Sequence, residues 1–170
     1  DTNYLLTIGT SAVFGVNPST STKLQVLLPG EYTEPGSPTG KTGAPTDRTA
    51  GTPFDVIVNL TDLHWNITPA TATVSVTLTS TDAHDSDVTY SQARTMSLYS
   101  SGTRTWSVTL RSASTGTYIT ATGGSYTACV SSPALVKAGD PTQLLVVLPG
   151  ETLEQGKISA PFGRSDTPDT

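Results

Sequence analysis

The chain is poor in charge, cysteine and long apolar runs, and each shortage removes a class of protein. Only 14% of its 170 residues are charged, nine of them Lys or Arg, and the net charge is −5. Soluble domains carry roughly 25% charged residues, and so few cations leave no basic patch for nucleic acid or an anionic membrane surface. The single cysteine, Cys129, excludes an intramolecular disulfide and reads as a small buried hydrophobe. No window approaches the roughly 18 apolar residues of a spanning helix, and no segment carries a capped helical stripe. No signal peptide opens the chain, which is uninformative, because an excerpt from the middle of a longer polypeptide would not carry one.

Hydroxyl groups supply the polarity instead: Ser and Thr make up about thirty per cent of the chain. Thr suits strands because its branched Cβ packs on a pleated surface, and Ser, Gly and Pro supply turns. Phe54, Val56, Val58 and Leu60 alternate with Asp55, Ile57 and Asn59 in the two-residue period of a half-buried strand. Val74, Val76 and Leu78 repeat the pattern, as do Trp106, Val108 and Leu110, so these three strands face one core. Leu24 to Leu28 and Leu144 to Leu148 are continuous apolar runs, which predicts strands covered on both faces or lying where two units meet. Met96 to Leu98, Tyr118 to Thr122, and Ala128 to Val136 with a break at Pro133 complete the predicted strands. The fold class is all-β, a Greek-key sandwich of about seven strands.

The chain also repeats itself. Thr22-Lys-Leu-Gln-Val-Leu-Leu-Pro-Gly-Glu31 returns as Thr142-Gln-Leu-Leu-Val-Val-Leu-Pro-Gly-Glu151, with Glu34 and Gly36 matched by Glu154 and Gly156, a register of 148 − 28 = 120 residues. Tyr4-Leu-Leu-Thr-Ile8 echoes the segment that begins at Tyr118. Fixed-period similarity marks a repeat array. The expected division is 1–22, the last strands of a preceding unit; 23–136, a complete domain; 137–142, a linker; and 143–170, the first strand and loop of a following unit. The long connection from Glu31 to Thr52, rich in Pro and Gly, belongs to the unit because its opening is repeated, and it is expected to cover a sheet edge or bridge to a neighbour.

Thr52-Pro-Phe-Asp-Val-Ile-Val-Asn-Leu-Thr-Asp62, Ala72-Thr-Val-Ser-Val-Thr-Leu-Thr-Ser80, Gly102-Thr-Arg-Thr-Trp-Ser-Val-Thr-Leu110 and Gly116-Thr-Tyr118 resemble the bacterial immunoglobulin-like repeats of invasin- and intimin-type surface proteins. The resemblance covers Lys23 to Val136 and departs from the family pattern where Trp65 replaces a Gly before Asn66. It implies an extracellular rod of stacked sandwiches on a bacterial surface that spaces, anchors or adheres, without catalysis. Its partners would be neighbouring repeats or other copies, with a surface glycan or host-cell protein as a further candidate.

Chemistry-bearing residues are sparse. Asp82, Asp85 and Asp87 around His84 could offer hard oxygen ligands to calcium, but the loop lacks the Gly and closing Glu of a calcium-loop motif, and Asp is a common turn former. Trp65 and His64, in a loop between two strands, could stack on a sugar or partner, or Trp65 could plug the end of the sandwich. Asn59-Leu-Thr61 and Asn66-Ile-Thr68 match the glycan-acceptor pattern. No Gly-x-Ser-x-Gly elbow, oriented His base or phosphate loop is present, so the chain reads as no enzyme. Leu5, Ile8, Leu144, Leu145, Val146, Val147 and Leu148 form an expected assembly interface, completed by the continuing polypeptide or by strand exchange between copies, as in a pilus-type fibre.

Overall fold

A computed structural model describes residues 8–70, 74–85, 94–96 and 101–169. Among them there is no helix, and the chain is built of several β-sheets, consistent with a β-sandwich. One sheet has the order β1-β5-β8, formed by β1 (Lys23–Leu27), β5 (Phe54–Thr61) and β8 (Thr103–Val108). Its register sets Val26 opposite Val58 and Val56 opposite Trp106, so that their side chains fall on one face. The other sheet has the order β11-β10-β6-β7, formed by β6 (Val74–Ser80), β7 (Arg94–Met96), β10 (Ile119–Gly123) and β11 (Cys129–Val130).

A small third sheet continues the second. It is ordered β4-β12-β9, from β4 (Arg48–Thr49), β9 (Ser114–Thr117) and β12 (Ala134–Lys137). Only Tyr118 separates β9 from β10, and Pro133 lies where β11 gives way to β12, because proline cannot donate to a ladder. Ile119 N–H donates to Ser131 Oγ and Ser131 N–H to Ile119 O across that break, so the two pairs form one bent hairpin. Among the strand pairings described, β4–β12 is parallel and the others are antiparallel, and an isolated bridge joins Lys23 to Thr127 in parallel.

The core lies between the sheets. Leu24, Val26, Val56, Val58, Leu60, Val76, Leu78 and Trp106 are all fully buried, with Val108, Leu110, Ile119, Ala134 and Val136 packed among them. Burying each large apolar side chain contributes about 1.5–3 kcal/mol, so the alternation of three short strands accounts for most of what holds the sheets together. Every residue of this cluster falls between Leu24 and Val136. Cys129 packs against its edge, and that burial raises its thiol pKa, in keeping with a small hydrophobe.

Two positions depart from simple alternation. Gln25 and Asn59 sit opposite each other on the outer face of β1 and β5, yet each is only 1% exposed. The reason is the long connection, which doubles back as a hairpin of β2 (Glu31–Thr33) and β3 (Lys41–Gly43) over that face. Asn59 Nδ2 donates to Gln25 Oε1, and Gln25 Nε2 to the carbonyl of Gly40, so the covered donors find partners inside, while Asn59 Oδ1 is buried without one. The connection, expected over a sheet edge or as a bridge to a neighbour, thus lies over the outer face of β1 and β5.

The repeated sequence folds twice. Leu28 N–H donates to Glu31 Oε2 at 2.9 Å, and Leu148 N–H to Glu151 Oε2 at 2.9 Å. Glu34 N–H donates to Gly40 O, and Glu154 N–H to Gly163 O. The second hairpin is β13 (Thr152–Leu153) with β14 (Arg164–Ser165). Lys41 pairs with Glu31 as Arg164 does with Glu151. The offset is 154 − 34 = 120 at the start and 163 − 40 = 123 at the end, which places a three-residue insertion in the second hairpin's tip. Leu144 to Leu148, expected as a strand, forms none among the described residues. It lacks what β1 has, a strand like β5 alongside it.

Candidate functional site

The predicted site residues fall at two loops and two chain segments. At the first loop, β5 ends in Asp62, whose carboxylate folds the turn that carries His64, Trp65 and Asn66. His64 N–H and Asn66 N–H donate to Asp62 Oδ1 at 2.8 and 3.0 Å, Asn66 Nδ2 to both oxygens, and Ser19 N–H to Oδ2 at 2.9 Å. Burial would raise the carboxyl pKa, but these donors outweigh it and lower the value to about 2.

The turn forces Trp65 to a left-handed φ of 68°. Its ring lies against Gly40, which has a φ of 75° and no room for a Cβ, and Lys23 Nζ sits 3.8 Å from the ring centroid. Trp65 is half-buried and pins the first hairpin to the start of β1, while Leu63 and His64 beside it are exposed. The two acceptor-pattern asparagines are engaged: Asn59 is buried and Asn66 is spent on Asp62.

At the second loop, after β6, Asp82 plays the same part. Its Oδ2 accepts from Arg111 N–H at 2.6 Å and Ser112 N–H at 2.9 Å, and its Oδ1 from Ser112 Oγ at 2.7 Å and His84 N–H at 3.0 Å. Burial acts to raise the Asp82 pKa, and the donors from Ser112, His84 and Arg111 win, lowering it. Both oxygens are therefore engaged by N–H and O–H groups that a cation would have to displace. Ser80 Oγ donates to Asp85 Oδ2, and Asp87 lies outside the described residues. Among the described residues, no group of three or more His, Cys, Asp or Glu could hold a metal ion.

The Arg111–Ser112 corner meets the second hairpin. Ser112 Oγ lies 3.0 Å from Gln155 O, and His84 Nε2 lies 3.4 Å from Glu154 Oε1, while Glu154 Oε2 pairs with Lys157 Nζ at 2.7 Å. Gly156 presses its α-carbon onto the corner, since a Cβ there would fall 2.5 Å from Ser112 Oγ. Beside the contact lies a cleft of about 610 Å³ lined by Ala50, Arg111, Pro141, Leu145 and Leu153. The acidic loop, weighed as a calcium site or a turn, thus holds the Arg111–Ser112 corner that meets the second hairpin. Glu154, Gln155, Gly156 and Ser112 were not singled out as site residues; the repeated Glu-x-Gly was the available signal for the first three, while Ser112, 30 residues from Asp82, had none.

Ile8 is exposed, as are Val13, Phe14 and Val16; Leu5 lies outside the described residues. Leu144 is 99% exposed, and Leu145, Val146, Val147 and Leu148 are between 41% and 66% exposed. Comparison with protein-family models, with curated proteins and with solved structures returned no match.

Proposed function

We propose that the chain is part of a tandem array of immunoglobulin-like sandwiches in a bacterial extracellular surface structure, a stalk, sheath or filament. The observation that carries this reading is the hairpin that folds twice, with the same turn bonds, 120 residues apart. The strand order supports the immunoglobulin-like part: β1-β5-β8 faces β11-β10-β6-β7, with β4 crossing over to run parallel to β12. On this reading residues 23–136 form one unit, 137–142 a linker, and 143–170 the beginning of the next. The function is mechanical, because stacked units convert sequence length into reach. The coding sequence on either side of residues 1 and 170 tests it. Further copies of the Pro-Gly-Glu hairpin at about 120-residue spacing are expected, and flanks without them would overturn the array.

A contact module of an adhesin is a second reading, favoured by the exposed Leu63 and His64 beside Trp65 at one end of the unit. A glycan-array screen with Trp65→Ala and His64→Ala controls decides it. Absence of binding, or binding indifferent to both changes, would set the lectin version aside. A pilus-type exchange of Leu144–Leu148 between chains makes a third reading, to which the exposure of that segment lends support, and sedimentation of the purified chain tests it.

A further inference from the structure

The two hairpins are alike in their bonds and unlike in what covers them. Glu154 and Gly156 are partly covered because the Arg111–Ser112 corner sits on them, whereas Glu34, Pro35 and Gly36 are exposed. Both glycines have a φ of 82°; a Cβ on Gly156 would strike Ser112, while one on Gly36 would meet nothing within 4 Å. The first hairpin keeps each element the corner uses in the second. Glu34 stands where Glu154 faces His84, the Pro35 carbonyl stands where the Gln155 carbonyl lies 3.0 Å from Ser112 Oγ, and Gly36 supplies the same flat α-carbon.

We propose that the Glu34-Pro35-Gly36 face is a docking site for the Arg111–Ser112 corner of a preceding unit of the same fold. This rests on the array reading and deepens it, because it names the surface through which one unit sets the position of the next. The contact is head to tail: each unit offers its hairpin face at one end and its Asp82-organised corner at the other, and such a contact propagates without closing on itself. Within this chain the corner is already filled by its own following hairpin, so the free face is open to a unit ahead of it and not to the occupied corner of another isolated copy. A short linker supplies the rest, raising the local concentration of corner around hairpin to the order of millimolar.

The test joins residues 1–142 directly to residues 23–170, which reproduces the 142 − 22 = 120 register and the chain's own linker. Ser107→Cys in each unit, in a Cys129→Ser background, carries spin labels on exposed β8 positions for distance measurement by electron resonance. One narrow inter-unit distance is expected. Gly36→Asn in the second unit, which tolerates the left-handed φ but adds a side chain, should broaden it several-fold, as Gly156→Asn should free the 154–156 hairpin in the natural chain. In the natural chain Gly36→Asn should leave the unfolding midpoint unchanged, which separates docking from misfolding. A broad distribution in the parent two-unit chain, or one that Gly36→Asn leaves narrow, overturns the docking site. Either result leaves the array standing, since the flanking sequence alone decides that.

Discussion

Leu24 and Leu144 are the same residue, in the same motif, 120 positions apart, and one is fully buried while the other is 99% exposed. The hairpins that follow them form the same turn and the same carboxylate bonds regardless. The difference separates two kinds of structure within one motif. The Pro-Gly-Glu turn closes locally, because a carboxylate three residues on satisfies the Leu N–H and the left-handed glycine costs little. The strand ahead of it does not, because β1 owes its ladder and its burial to β5 and to the opposite sheet.

The sharpest way to break the comparison is to cut the same side chain in both copies. Leu24→Ala should cost about 2–5 kcal/mol of sandwich stability in urea unfolding, and Leu144→Ala less than about 0.5 kcal/mol. Equal effects would mean that Leu144 is buried in solution. Next come the turn carboxylates. Glu31 is buried, with Lys41 and Ser132 also on it, so Glu31→Ala should cost about 1–3 kcal/mol. Glu151→Ala should speed hydrogen exchange at Leu148 and leave the global transition in place.

A smaller effect concerns pH. Because the Asp62 pKa is depressed in the fold from 3.8 to about 2, its contribution is present above pH 4 and fades as pH falls toward 2. Thermal stability should therefore fall as pH drops across that window, and less steeply in Asp62→Asn. The smallest expected effect is calcium: with both Asp82 oxygens already accepting hydrogen bonds, millimolar calcium should leave the melting temperature within about 1 °C, and a clear rise would restore the cation reading.

Much of the fold was legible because burial follows period. Val56, Val76 and Trp106 sit in phase with their neighbours, and the structure buries each of them completely. Asn59 was not legible: the alternation of its own strand faces it outward, and only the returning hairpin covers it. The strand expected over Tyr118 to Thr122 is β10, whereas β9 was not legible, since its Ser, Thr and Gly leave no apolar rhythm. At the site, the repeat pointed to the second hairpin, but the corner that receives it is made by Asp82 holding backbone groups 29 and 30 residues away, a contact with no sequence period.

The parallel bridge between Lys23 and Thr127, with β4 parallel to β12, has a consequence for load. The chain enters β1 at one end of the unit and leaves β12 at the other, so a pull along the polypeptide runs along the strand axes. The interstrand bonds of β1 with β5 and of β4 with β12 are then stressed side by side and must fail together, where a hairpin pulled from its open end would unzip one bond at a time. If the proposed array holds, a tether of such units would resist sudden tension through this geometry rather than through core size alone.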